Sequence, residues 1–181
     1  MTDRTAPHLG MLEHRDGAYC LRFTRRFPHP PDKVFRALTE PEHVSAWFPT
    51  DIVGDRVAGA PLTFVFRNGK APSFDGELRA YEPPHLVEYQ WGPDDVLRFE
   101  LRADGDGTVL DFVNTFEPVG KGARDGAGWH ACLDTLEHHL DGTTPEWDPE
   151  QHWTEVHDHY LESFPPEAST IGPPEGWNAD A

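Results

Sequence analysis

The segment Arg26–Phe48, RFPHPPDKVFRALTEPEHVSAWF, constrains the fold of this 181-residue chain more than any other. Proline suits the first turn of a helix, where its missing N–H would have no partner and its φ is already helical. Pro30-Pro31 therefore starts a helix whose Val34, Phe35 and Leu38 share one face. Glu40-Pro41 ends it, because the residue before a proline is pushed out of the helical region. A second short helix then buries Val44, Trp47 and Phe48.

Period-two alternation marks the strands. Tyr19, Leu21, Phe23 and Phe27 keep one parity, and Cys20, Arg22, Thr24 and Arg26 the other. Leu62, Phe64 and Phe66 alternate with polar or smaller neighbours, and Asn68-Gly69 is a hairpin signal because both residues tolerate positive φ. Phe74, Gly76, Leu78 and Ala80 form the apolar parity of the next strand, which Pro83-Pro84 stops. Val87, Tyr89 and Trp91 follow, then Leu97, Phe99 and Leu101, then Val109–Phe116. Hairpin-linked strands of this kind predict an antiparallel sheet. Gly120, Gly122, Gly126 and Gly128 punctuate the link to a long helix, where Trp129, Leu133, Leu136 and Leu140 form one stripe and Gly142 stands at the C-cap.

The phrase P-x-x-V-[FW]-x-A-L-T-x-P-E followed by W-[FW], here Pro31 to Phe48, resembles the opening of the START-like (SRPBCC) helix-grip superfamily. The branch it is most similar to is that of the activator of heat shock protein 90 ATPase homologues. The closing helix Gly128-Trp129 through Leu136 resembles the same family. The resemblance, over about Tyr19 to Leu140, implies an α+β helix-grip fold. A curved antiparallel sheet wraps a long C-terminal helix and encloses a cavity, with two short helices after the first strand. The domain organisation expected is a mobile N-terminus (1–14), the helix-grip domain (15–142), a helical extension (143–164) and a disordered tail rich in Pro, Gly and Ala (165–181). In the extension, Asp148-Pro149-Glu150 opens a helix carrying Trp153, Val156, Tyr160 and Phe164 at helical spacing. So large a stripe must dock, either on its own domain or on a second copy in a two-fold homodimer.

Charge narrows the partners. Residues 1–124 carry 15 basic and 19 acidic residues, whereas residues 125–181 carry 13 acidic and no basic ones. A net charge of −17 repels phosphate backbones and anionic membranes, so neither nucleic acid nor a membrane is an expected partner. The acidic third is read as a solvated surface, with docking of a basic partner as the alternative. No run approaches the about 18 to 20 apolar residues of a membrane span. The N-terminus has no signal-peptide core, and two cysteines, Cys20 and Cys132, make no disulfide framework. A cytoplasmic setting is expected.

Reactive motifs are missing. Asp104-Gly105-Asp106-Gly107 lacks the glycine and glutamate a calcium loop needs later in its length and reads as a hairpin turn. His130, His138, His139, His152, His157 and His159 do not fall at zinc-ligand spacing, so no metal is expected. There is no G-x-S-x-G, dinucleotide or Walker motif, and no cofactor is implied. Cys132 reads as a small core residue. What remains is aromatic. Phe64, Phe66, Leu78, Tyr89, Trp91, Phe99, Phe112, Asn114, Trp129 and Leu133 are the candidate lining of a ligand cavity between sheet and helix, with Asn114 as the inward polar group. The leading expectation is a non-catalytic protein that binds a small hydrophobic or aromatic molecule. The second and third are implied by the resemblance: a polyketide cyclase or aromatase-like enzyme, a type the START-like superfamily includes, with Glu88, Tyr89, Arg98 and Asn114 as candidates, and co-chaperone activation of an ATPase.

Overall fold

The structure, a computed structural model, describes residues 8–69 and 71–173. Strands β1 (Met11–Arg15), β2 (Ala18–Phe27), β3 (Asp51–Val53), β4 (Pro61–Val65), β5 (Phe74–Glu82), β6 (Leu86–Trp91), β7 (Asp95–Asp104) and β8 (Gly107–Phe116) form one antiparallel sheet in the order β1-β2-β8-β7-β6-β5-β4-β3. Helices α1 (Pro31–Thr39) and α2 (Pro41–Trp47) fill the connection from β2 to β3. The long helix α3 (Gly122–Asp141) lies across the concave face, and α4 (Pro149–Ser163) packs on α3.

Both proline signals act as the sequence predicts. Pro31 and Pro41 each stand in the first turn of a helix, and Glu40 is at once the C-cap of α1 and the N-cap of α2, with extended backbone. Val34, Phe35, Leu38, Val44, Trp47 and Phe48 are buried. Burying each such side chain contributes about 1.5–3 kcal/mol, which fixes the helix pair against the sheet.

Register aligns the apolar parity across strands. Leu21, Asn114, Leu97, Tyr89 and Leu78 form one row, and Phe23, Phe112, Phe99 and Val87 the next. In the second row Phe99 stacks on Phe112 with centroids 4.3 Å apart, and Phe112 on Phe23 at 5.7 Å. A bulge between Leu78 and Ala80 corrects the expected parity of β5: Tyr81, not Ala80, continues the inward face after it, where it meets Phe35. The Asp104–Gly107 turn is a tight hairpin, with Asp104 opposite Gly107. Asn68-Gly69 does turn, but inside the longer connection from Val65 to Phe74.

Three expectations need correction. The segment 1–14 is not mobile throughout, because Met11–His14 belong to β1, paired with β2 through a turn in which Asp16 and Gly17 both have positive φ. Asp-Gly is itself a two-residue hairpin signal. The glycines before Trp129 are not a linker: Gly122, Gly126 and Gly128 lie within α3. A Cβ on Gly126 would stand 3.2 Å from ring carbons of Tyr160, so the glycine lets α4 approach α3 closely. Finally, Pro166–Ser169 form a 3₁₀ turn with Ala168 buried, and Ile171 N–H donates to the Gly120 carbonyl at 3.0 Å. Those contacts order a stretch that composition alone marks as unstructured. Residues 1–7 and 174–181 of the two expected terminal segments lie outside the described residues.

The extension docks in cis. Asp148 caps α4 by accepting from the Glu150 and Gln151 N–H groups, and Val156, Tyr160 and Phe164 are buried in the main core. Leu133, inaccessible to solvent at the centre of α3, tests the closing helix. Leu133→Ala should lower unfolding free energy by about 2–5 kcal/mol in denaturant melts. A loss under about 0.5 kcal/mol would mean that α3 does not close the core.

Candidate functional site

The aromatic side chains that face the grip fill it with one another. Phe99 stacks on Phe112, Phe112 meets Trp129 edge-on at 5.3 Å, and Trp129 meets Trp91 at 5.6 Å and Phe48 at 5.6 Å. Trp91 in turn contacts Phe64 at 4.7 Å, and Phe64 contacts Tyr89 at 6.3 Å. Phe64, Leu78, Tyr89, Phe99, Phe112, Asn114 and Leu133 are thus buried packing residues, each at most 1 % exposed. Phe66 lies just past β4, half-buried against Phe74. Of the ten residues read from the sequence, Trp91 and Trp129 reach an open cleft.

That cleft, about 360 Å³, opens beside the N-terminal half of α3. Its apolar walls are the indoles of Trp91, Trp129 and Trp153, with Pro49, Gly128 and Cys132 between them. Trp129, Cys132, Asp125 and Gly128 share one face of α3 at spacings of three and four, while Trp153 comes from α4. Gly128 gives the cleft its depth: the nearest atom to an added Cβ is the Trp153 indole nitrogen, 3.9 Å away.

The other end is polar. Lys121 Nζ donates to both carboxylate oxygens of Asp95 at 2.9 Å and lies 3.9 Å from Asp125, and Arg124 Nε donates to Asp125 at 2.9 Å. Burial raises the Asp95 and Asp125 carboxyls above the ordinary aspartate range, opposed by Lys121 and Arg124 respectively. Two cations and two carboxylates leave this end without net charge, while offering both donors and acceptors. None of these four was singled out in the sequence, and Trp153 was read there only as part of the apolar stripe of the extension helix. The available signal was the spacing of Lys121, Asp125, Gly128, Trp129 and Cys132 along one helical face.

The polar candidates for catalysis lie elsewhere. Glu88 and Arg98 point to the sheet's outer face, paired at 2.9 Å and further linked to Arg79 and Glu100. The Tyr89 hydroxyl donates to the Leu38 carbonyl at 3.0 Å, and burial pushes its phenol up. Asn114 is satisfied internally: its amide nitrogen donates to the Thr115 carbonyl at 3.1 Å, and its oxygen accepts from Trp129 Nε1 at 3.2 Å. The C-terminal histidines enter hydrogen bonds and ring stacks, among them His152 with Asp134 and His157 with Trp153. Glu40, Glu42 and His43 bring ligand-type atoms within 4.8 Å of one another at the partly exposed α1–α2 corner, where Arg36 and His139 already pair with Glu40 and His43.

A sheet folded around one long helix, with two short helices after β2, defines a START-like helix-grip protein. The activator of Hsp90 ATPase homolog 1-like protein family matches residues 28–141, and the chain belongs to that family. Among solved structures it is similar to CalU16 from Micromonospora echinospora, with a TM-score of 0.68 and 23 % identity over 86 % of this chain and 95 % of that one. A conserved protein of unknown function, EF2215 from Enterococcus faecalis, also gives 0.68, at 19 % identity over 85 % and 89 % of the two chains. MLL2253 from Mesorhizobium loti gives 0.60 at 28 % identity, over 70 % of this chain and 99 % of its own. No curated protein matches the sequence. No helix among the described residues is long and apolar enough to cross a membrane.

Cys132 offers a direct check of the cleft's character. Burial pushes its thiol up to about 12, so little thiolate exists near neutral pH. In a Cys20→Ser protein, Cys132 should react with a disulfide reagent at pH 8 at least about a hundredfold more slowly than a free thiol. Rapid labelling would show a thiol activated for chemistry.

Proposed function

We propose that the protein binds a small, flat, apolar or aromatic molecule without transforming it, in the cleft walled by Trp91, Trp129 and Trp153. The observation that carries this reading is the convergence of three indoles, from β6, α3 and α4, on one open cleft of small-molecule size. Indole faces favour flat partners through stacking as well as area burial. The balanced polar end favours a neutral ligand that carries a hydroxyl, carbonyl or amide at one edge. The raised Cys132 thiol and the outward Glu88 and Arg98 support binding rather than catalysis. The two free cysteines, on β2 and α3, support a cytoplasmic setting.

One observation favours a second reading, an enzyme of the polyketide cyclase type. Asp95 and Asp125 open into the same cleft, with carboxyls raised toward the range useful for proton transfer. Turnover of a bound polyketide-like substrate that disappears in Asp125→Asn would establish it.

Nile red, neutral and flat, tests the binding reading. Saturable dye fluorescence is expected with the full chain. Gly128→Leu should weaken it by at least about tenfold, because the new side chain fills the cleft, while helix propensity favours the substitution by up to about 1 kcal/mol. Unchanged affinity in Gly128→Leu would move the ligand elsewhere. No saturable binding across a panel of aromatic and aliphatic probes would refute the reading.

A further inference from the structure

One wall of the cleft lies outside the family's matched region, which ends at residue 141: Trp153 is presented by α4. Beside the apolar contacts of Val156, Tyr160 and Phe164, a buried polar chain holds α4 in place. Arg25, 2 % exposed on β2, donates Nη1 to Asp134 Oδ1 on α3 at 2.7 Å. Asp134 Oδ2 accepts from His152 Nε2 on α4 at 2.8 Å and faces His130 Nε2 at 3.4 Å. His130, fully buried on α3, has its Nδ1 2.9 Å from the Tyr160 hydroxyl of α4. That hydroxyl accepts the Gly10 N–H at 2.7 Å.

Counting protons fixes the state of this chain. Once it has accepted from Gly10, the Tyr160 hydroxyl has one proton to give, and its hydrogen-bond partner is His130 Nδ1. That pairing calls for a neutral His130, with its proton on Nε2 directed at Asp134 across 3.4 Å, short of a full hydrogen bond. An imidazolium would aim a donor at the hydroxyl and leave a buried O–H without an acceptor. The groups facing His130 are Asp134 from its own helix, Arg25 from β2, and Tyr160 and His152 from α4.

Granting that the cleft is the ligand site, we infer that Trp153 is a binding residue and that His130 and Tyr160 are the positioning residues that keep it there, so that ligand occupancy and α4 docking strengthen one another and both are lost when His130 gains a proton. Linkage makes the first part reciprocal: a ligand that touches Trp153 only in the docked state must favour docking. Burial lowers His130 below the ordinary histidine range, against the opposing pull of Asp134. The docked state therefore favours the neutral ring. Its contribution is complete above the ordinary imidazole value of about 6.5 and is lost as pH falls through the lower docked value.

The test uses the full chain, Nile red affinity for the site, and hydrogen exchange of residues 149–163 for docking. Trp153→Ala should weaken the dye about tenfold, the loss of one well-packed aromatic contact. Tyr160→Phe keeps the ring but removes the hydroxyl, outside the cleft; it should weaken the dye several-fold and speed exchange in α4. In the unsubstituted protein, affinity and exchange protection should be level from about pH 7.5 to about pH 6.5 and fall together below it, toward about pH 5. His130→Gln supplies an amide oxygen for the hydroxyl and cannot titrate, so its affinity should fall clearly less across that range than that of the unsubstituted protein, any remainder belonging to His152 on Asp134 and His157 on Trp153. Unchanged dye binding in both Trp153→Ala and Tyr160→Phe would overturn the inference and leave the cleft standing as a site. A protein that binds no dye would refute the cleft instead, and exchange would then decide the positioning role: protection of α4 indifferent to pH and to Tyr160→Phe overturns it.

Discussion

The hydrogen bond from Trp129 Nε1 to Asn114 Oδ1, 3.2 Å long, pins the closing helix to the sheet in the aromatic centre of the grip. Apolar packing holds α3 against the sheet but is non-directional, so it leaves the helix free to slide or roll by part of a turn. Asn114 sits on β8, in the middle of the sheet between β2 and β7, and its own amide nitrogen is tied to the Thr115 carbonyl. With both ends fixed, the bond sets the rotation of α3 together with the Arg25–Asp134 pair. That rotation presents Gly128, Trp129 and Cys132 to the cleft and turns His130 and Asp134 toward α4. Losing the pin would leave a buried indole N–H and a buried carbonyl oxygen unpaired, which is why few alternative packings compete with it.

Asp134 is the second organising group, and its environment shows how the acidic C-terminal third can fold onto the domain. Beyond Arg124 the chain has no basic residue, so α4 cannot be anchored by its own cations. Burial alone would raise the Asp134 carboxyl; the His130 ring 3.4 Å away, the hydrogen bond from His152 and the charge of Arg25 outweigh it and hold the group well below the usual range. Arg25 belongs to the inward parity of β2, with Leu21, Phe23 and Phe27, and is as buried as they are. A cation placed in the core is costly unless paired. Here the pairing joins β2, α3 and α4 in one place, while the acidic side chains on the outer surface of α4 remain solvated.

Packing density explains why the centre of the grip and the cleft differ. Residues from β2, β8, β7, β6 and β4 and from the helices point inward with large rings, and rings that meet at 4.3 to 6.4 Å leave little space among themselves. Space survives where the rings run out, at the end of β6 and the start of α3. There a glycine, Gly128, stands opposite Trp153. The same small-residue pattern that shortens the α3–α4 distance at Gly126 therefore opens a cleft one helical face away.

Much was legible in the sequence because it is local. Paired prolines set two helices by fixing φ, alternation set the inward faces of the strands, and the Trp129–Leu140 stripe with Gly142 set the closing helix. Trp91 and Trp129 were named as site residues on that basis. Other features depend on contacts between distant segments, which no local pattern encodes. Met11–Arg15 becomes a strand because β2 offers an edge, Pro166–Ser169 is ordered by contacts with the start of α3, and Arg25 is tolerated at a core position because Asp134 meets it from 109 residues away. Asp95, Lys121 and Trp153 come together only when β7, α3 and α4 converge. Alternation in the sequence determined which residues face inward, except past the β5 bulge; tertiary packing decided whether each inward ring fills the core or walls a cleft, since that depends on the volume its neighbours leave.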